Sequence, residues 1–165
     1  MTKNMAYSGR YRPQNTKKYK GDPTKIKYRS LWERDCFIWC DRNNEILEWS
    51  SEETVIPYYY DVDKRWHSYY PDLKIKFKSE TLIVEIKPLK ETKLPKRPNK
   101  SKRYISEALT YVKNQNKWEQ AESYAKDRGW KFEVWTEETL KSKGIMKKEF
   151  RKLKPLPPFR RKRYK

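Results

Sequence analysis

Two short segments, Asp72-Leu-Lys-Ile-Lys-Phe77 and Leu82-Ile-Val-Glu-Ile-Lys87, alternate apolar and polar residues with a period of two. A strand puts successive side chains on opposite faces, so each reads as a β-strand with one buried face. Between them, Lys78-Ser79-Glu80-Thr81 suits a four-residue hairpin loop. Pairing Phe77 with Leu82 sets Leu73 opposite Ile86 and Ile75 opposite Val84, with all six apolar side chains on one side. A one-residue slip would mismatch the faces, so this register is preferred. On the other side, Asp72 then faces Lys87 and Lys74 faces Glu85. Asp72, Glu85 and Lys87 share a polar face at the end away from the loop, with diagonal neighbours about 7–8 Å apart at the backbone.

The rest of the chain arranges itself around this hairpin. Ser30 with Glu33 three residues on predicts an N-capped helix running to about Cys40. Asp41-Arg42-Asn43-Asn44 reads as a loop, Ile46–Trp49 as a short strand or turn, and Thr54–Tyr60 as strand-like, with Pro57 marking an edge or bend. Pro88 to Lys100 is a Pro- and Lys-rich linker. Helical spacing covers 101–113, and Asn116 with Glu119 resembles a second capping box, opening a helix to Gly129. Trp130–Trp135 alternates as a strand, and Thr136 caps a short helix. The order is α-β-β-β-α-β with one crossover helix, which predicts an α/β fold with a mixed sheet.

Charge divides the same chain into three. The net charge is +19, yet residues 31–140 carry equal numbers of basic and acidic residues, so residues 1–30 (+8) and 141–165 (+11) hold all of it. We therefore expect a basic N-terminal arm over 1–29, a core over 30–140 and a basic tail over 141–165. Solubility needs far less charge than this, whereas Lys and Arg arms grip a polyanion without reading its sequence. Arg10, Arg12, Lys17, Lys18, Arg160, Arg161, Lys162 and Arg163 are the candidate nucleic-acid contacts. The 7 Trp, 13 Tyr and 5 Phe exclude a disordered chain. No apolar run reaches transmembrane length and the N-terminus lacks a signal-peptide pattern, so neither membrane nor secretion is expected. Cys36 and Cys40, on one helix face beside Trp32 and Trp39, are expected as buried thiols.

The polar face of the hairpin carries chemistry. Mg²⁺ prefers hard oxygen ligands and keeps several waters, so one or two carboxylates suffice to hold it. Phosphodiester hydrolysis needs an activated water, neutralised phosphate charge and a stabilised leaving oxygen. Asp72 and Glu85 supply metal ligands, the Ile86 carbonyl adds another, and Lys87 orients or deprotonates the water and stabilises transition-state charge. Glu33 completes the metal shell from the first helix. Each has a plainer alternative: cross-strand ion pairs for Asp72, Lys87, Glu85 and Lys74, and simple capping for Glu33. His67 stands either against DNA or as a partly buried imidazole with a structural hydrogen bond. Tyr58, Tyr59, Tyr60, Tyr69 and Tyr70 either stack on bases or, at alternate positions, fill the core.

Pro71-Asp72, twelve intervening residues and Glu85-Ile86-Lys87 resemble the PD-(D/E)XK nuclease motif, and the element order matches that superfamily's restriction-endonuclease-like core. Ser30-Leu-Trp-Glu33, His67-x-x-x-Pro71-Asp72 and Glu85-x-Lys87 are also similar to the nuclease subunit of Tn7-type transposition, which implies an active-site role for Glu33. Met5-Ala-Tyr-Ser-Gly-Arg-Tyr11, Tyr19-Lys-Gly-Asp-Pro-Thr-Lys-Ile26, Tyr28-Arg-Ser-Leu-Trp-Glu-Arg34, Trp39-Cys-Asp41 and Glu48-Trp-Ser-Ser-Glu-Glu53 resemble the head completion nucleases of T4-like bacteriophages. That resemblance implies a Mg²⁺- or Mn²⁺-dependent endonuclease on double-stranded DNA, acting after packaging and before tail joining. It also implies portal or neck proteins as partners, residence at the head–neck region of the virion and in host cytoplasm during assembly, and no organic cofactor. The rival expectation is a non-enzymatic neck or connector component, since fold does not fix function; a third is an RNA-binding basic protein.

Overall fold

The computed structural model describes residues 7–96 and 101–146. Its strands are β1 (Gly9–Arg10), β2 (Lys27–Tyr28), β3 (Ile46–Ser50), β4 (Ile56–Tyr60), β5 (Arg65–Tyr69), β6 (Leu73–Phe77), β7 (Thr81–Ile86) and β8 (Lys131–Trp135). Its helices are α1 (Leu31–Arg42), α2 (Lys102–Asp127) and α3 (Glu137–Ser142). The central sheet has the order β3-β6-β7-β8, antiparallel except for the parallel β7–β8 pair that α2 connects. Around this sheet the order α1, β3, β6, β7, α2, β8 is α-β-β-β-α-β, the mixed-sheet, restriction-endonuclease-like core that was expected. Its first strand is the short 46–50 segment. The 54–60 segment lies outside the sheet: Ile56–Tyr60 pairs with Arg65–Tyr69 in a separate hairpin inserted between β3 and β6.

The β6–β7 hairpin forms in a tighter register than the four-residue loop predicted. Leu73 faces Val84, Ile75 faces Leu82 and Lys76 faces Thr81, while the Phe77 N–H donates to the Glu80 carbonyl at 2.8 Å. Only Lys78 and Ser79 turn the chain, so more backbone groups are satisfied in the ladder. The slip from the expected pairing is two residues, an even number, so every side chain keeps its predicted face. Leu73, Ile75, Leu82, Val84 and Ile86 all lie in one core cluster with Cys36, Phe37 and Cys40 of α1 and Leu140 of α3. Both thiols are free and buried, and burial pushes their pKa values up.

The opposite face is also covered. Ile83 joins Ile56, Tyr58, Tyr60 and Tyr69 of the inserted hairpin with Ala121 and Ala125 of α2. Thus alternate tyrosines do fill a core, whereas Tyr59 and Tyr70 stay exposed. The two helices predicted over 101–129 are one, because Asn116 does not cap. Its Oδ1 accepts from the Asp61 N–H at 3.1 Å and its Nδ2 donates to Asp61 Oδ2 at 2.8 Å, tying α2 to the β4–β5 turn. The helix ends where Gly129 takes φ +71°.

The described part of the expected N-terminal arm is a strap packed on the core. Tyr19 and Ile26 are buried, and Tyr19 meets Trp49 of β3 edge-on at 4.8 Å between ring centroids. Asp41, fully buried at the end of α1, holds the strap. Its Oδ2 accepts from the Tyr11 hydroxyl at 3.0 Å and the Gln14 N–H at 2.8 Å, and its Oδ1 accepts from the Asn15 N–H at 3.0 Å. Residues 147–165, which carry most of the predicted basic tail, lie outside the described residues, as do positions 97–100 of the linker.

Removing that acceptor tests the strap. Asp41→Ala leaves two backbone N–H groups and a phenol without their partner, so unfolding free energy should fall by ~3 kcal/mol. Urea unfolding measures it; a loss under ~1 kcal/mol would mean the strap is not anchored there.

Candidate active site

The corrected register decides the geometry of the polar face. One ladder step beyond Leu73↔Val84 sets Asp72 across from Glu85 rather than Lys87. Pro71, fully buried, brings the chain into β6 without a backbone donor to satisfy. Asp72 Oδ2 accepts from the Ile86 N–H at 2.7 Å. Glu85, buried, accepts from the Tyr69 hydroxyl through Oε2 at 2.6 Å, and its Oε1 faces Lys87 Nζ at 3.7 Å. The Lys87 N–H donates to the Trp135 carbonyl at 2.9 Å, pinning the end of β7 to β8.

These groups form the floor of an open cleft of about 1270 Å³. The two helices lie on opposite faces of the sheet, and both reach its rim: Trp32 and Glu33 from α1, Lys117 from α2. Arg29, Lys90 and Lys141 line the cleft together with Glu52, Glu91 and Glu137, and the Arg29 guanidinium pairs with Glu52.

The floor is electrostatically strained. Burial, then the charges of Glu85 and Glu33, push the Asp72 carboxyl well above the usual range, against the Ile86 N–H and Lys87. Burial raises Glu85 too, opposed by Tyr69, Lys87, Lys117 and a hydrogen bond with Asp72. Two carboxyls this close cannot both ionise cheaply without a compensating cation. Hard oxygen donors with uncompensated charge fit a divalent ion that keeps several waters.

Glu33 lies in the same cleft but does not converge with them. Its Oε2 accepts from the Arg29 N–H at 3.0 Å, Ser30 Oγ lies 3.4 Å from its Oε1, and its own N–H donates to Ser30 Oγ at 3.2 Å. It is occupied in the capping box that the sequence predicted, although it reaches the residue before the cap. Among the described residues, no group of three His, Cys, Asp or Glu side chains is placed to hold a metal ion. The expected third carboxylate ligand is thus engaged elsewhere in this conformation.

Other candidates separate. His67 sits on the inserted hairpin, its Nε2 2.6 Å from Asp63 Oδ2 and its ring stacked on Tyr58 at 5.5 Å, away from the cleft lining. The ring is half-buried. The Lys18 ammonium donates to the carbonyls of Asp41 at 3.1 Å and Asn43 at 2.8 Å. Arg10, Arg12 and Lys17 are exposed on the strap, outside the cleft lining. Arg160, Arg161, Lys162 and Arg163 lie outside the described residues. Sequence reasoning missed Tyr69 and Lys117. The alternation of Tyr58, Tyr60 and Tyr69 marked buried positions but not a carboxylate partner, and Lys117 shares a four-residue helical spacing with Ala121 and Ala125.

Two comparisons with known proteins bear on this arrangement. The family described as TnsA-like endonuclease N terminal matches residues 43–137. The chain is also 43% identical over 147 residues to the head completion nuclease of Enterobacteria phage T4, covering 86% of this chain and 98% of that protein.

The strain on the floor has a measurable sign. A carboxyl whose pKa is raised by folding adds nothing unfavourable below its unfolded pKa, near ~4. As pH rises above that value the unfolded chain ionises first, and folded stability falls until the folded pKa is passed. In EDTA, the protein should therefore lose stability from about pH 4 upward through this site. Asp72→Asn keeps an acceptor for Ile86 and removes the charge, so at pH 8 in EDTA it should be more stable than wild type by ~1 kcal/mol. The two should converge in acid. Thermal melts across pH check this, and a less stable Asp72→Asn at pH 8 would remove the strained-carboxyl account.

Proposed function

The chain belongs to the TnsA-like endonuclease N-terminal family, and from that premise we propose that it is a Mg²⁺- or Mn²⁺-dependent endonuclease that hydrolyses double-stranded DNA during phage head completion. One observation carries the reading: Asp72 and Glu85 stand side by side on the cleft floor with the Lys87 ammonium 3.7 Å from Glu85.

The residues divide the work. Asp72 and Glu85, with the Ile86 carbonyl, would hold the divalent cation. Bound there, the cation supplies charge neutralisation for the phosphate and a more acidic water. The Ile86 N–H fixes one Asp72 oxygen and leaves the other to the cleft. Tyr69 fixes one Glu85 oxygen in the same way, so neither carboxylate must reorganise during reaction. Lys87 stands beside Glu85, where its ammonium orients the attacking water and stabilises charge on the phosphoryl oxygens. Glu33 tunes the floor through its field on Asp72. To add a third carboxylate to the cation, Glu33 would have to give up its bond to the Arg29 N–H.

Lys90 and Lys141 guide the phosphate backbone into the cleft, and the basic residues of 1–29 and 141–165 add contacts that depend on salt but not on sequence. The T4 relative's name places it in head completion. We extend that setting to this chain: action on the filled head after packaging and before tail joining, at the head–neck region, with portal or neck proteins as partners. Among the described residues, no helix is long and apolar enough to cross a membrane.

The reading is tested by incubating purified protein with supercoiled plasmid and Mg²⁺ or Mn²⁺. Wild type should nick or linearise it, EDTA and Asp72→Ala should abolish cleavage, and Lys87→Ala should slow it by about 10²–10⁴-fold. Equal cleavage by wild type and Asp72→Ala would mean the site is elsewhere. Intact DNA binding without cleavage, free or in particles, would favour a structural connector role. Preference for RNA at matched salt would replace DNA as the substrate.

A further inference from the structure

Lys117 is the cleft-lining lysine that the proposed chemistry leaves unused. It lies in the stripe Lys113-Lys117-Ala121-Ala125 on α2, at four-residue spacing. Ala121 and Ala125 are fully buried against the inserted hairpin and Ile83. Residues four apart on a helix share a face, so position 117 turns toward the same interior. An apolar residue there would simply extend the core. Instead the lysine stem runs over the rings of Tyr58 and Tyr69, with Nζ 5.7 and 5.5 Å from their centroids, and its ammonium opens into the cleft.

That ammonium is half-buried and unpaired. Among the described residues Lys117 makes no hydrogen bond, and no carboxylate oxygen comes within 4.0 Å of it. Lys87, by contrast, pairs with Glu85 at 3.7 Å. Burial lowers the Lys117 pKa, while the fields of Glu85 and Asp72 oppose that loss. The tyrosine faces compensate a cation only in part. The ring faces and the longer-range fields of Glu85 and Asp72 leave the three ammonium donors without an acceptor, so they are open to an anion that enters the cleft.

We propose that Lys117 is a substrate-contacting residue, whose ammonium takes a non-bridging oxygen of the DNA phosphate seated over Asp72 and Glu85, from the α2 side of the cleft. This rests on the nuclease reading above. Lys87 and Lys117 then approach the phosphate from two separate elements, one from the end of β7 and one from the helix that covers the opposite core. The contact is electrostatic and independent of base identity, and it ties phosphate seating to the packing of α2 on the inserted hairpin.

The test compares wild type, Lys117→Met and Lys117→Arg. Duplex DNA binding is followed by fluorescence anisotropy in Ca²⁺ across a salt series, with thermal melts alongside and cleavage kinetics in Mg²⁺. Lys117→Met fills the stripe with an apolar stem, so its melting temperature should hold or rise. Its affinity should fall about tenfold, the magnitude of its log K versus log salt slope should drop by ~0.9, and KM should rise. Lys117→Arg should recover most of both. Wild-type affinity and slope in Lys117→Met would overturn the proposal, and so would an affinity loss that merely follows a lowered melting temperature. The slope is read without cleavage. A wild type that binds but never cuts would therefore sink the nuclease reading, and the slope would still decide for or against Lys117.

Discussion

The turn at Lys78-Ser79 governs the site from the far end of the hairpin. By closing β6 and β7 with two residues, it slides one strand past the other until Asp72 stands across from Glu85. A four-residue loop would have set each acid opposite a lysine, giving two ordinary cross-strand ion pairs. The observed register instead sets acid beside acid and leaves Lys87 one step further on. Favourable pairs are exchanged for a repulsive one, and both carboxyls are pushed up by burial. Natural chains accept such local penalties where chemistry needs them. An even slip changes the cross-strand partners but keeps every apolar side chain on its face, so the polar face records most clearly which register the turn selected.

Coverage of both sheet faces then makes a cleft out of a strand end. α1 lies on one face and α2 on the other, and the floor residues sit where β6 begins and β7 ends. The inserted β4–β5 hairpin contributes more than bulk. Its last residue, Tyr69, buries its ring beneath α2 and aims its hydroxyl at Glu85. Glu85 itself withdraws the phenol's proton no further, because burial and the nearby carboxylate both raise the Tyr69 pKa. The hydroxyl therefore remains a donor, and the carboxylate it holds stays oriented.

Much of this was legible in the sequence where period and parity carry the information. The hairpin faces, the Ser30 cap, the buried thiols and the α-β-β-β-α-β order all follow from local spacing. The register did not, because Lys78-Ser79-Glu80-Thr81 contains no glycine or asparagine to announce a tight turn. The 46–50 strand was ambiguous since a short apolar run reads equally as a turn, and its place in the sheet depends on Trp49 packing against Tyr19 and Phe37 from elsewhere in the chain. Asn116 looked like a cap because its true partner, Asp61, is distant in sequence. Tyr69 and Lys117 escaped for the same reason: each is defined by what it meets across elements.

Charge alone does not say how the basic N-terminal segment is placed. Its lysines and arginines marked it as an arm, yet its aromatic and aliphatic residues, Tyr11, Tyr19 and Ile26, are the ones that place it. Asp41 anchors the strap at the far end of α1, while Arg29 meets Glu33 at the near end through its backbone N–H. The strap thus spans the helix that brings Glu33 to the cleft and holds that carboxylate in a capping role. The strap at Arg29 is thus bonded to Glu33, and Glu33 in turn acts on Asp72 through its field. A segment whose composition suggests only grip is mechanically continuous with the floor of the site.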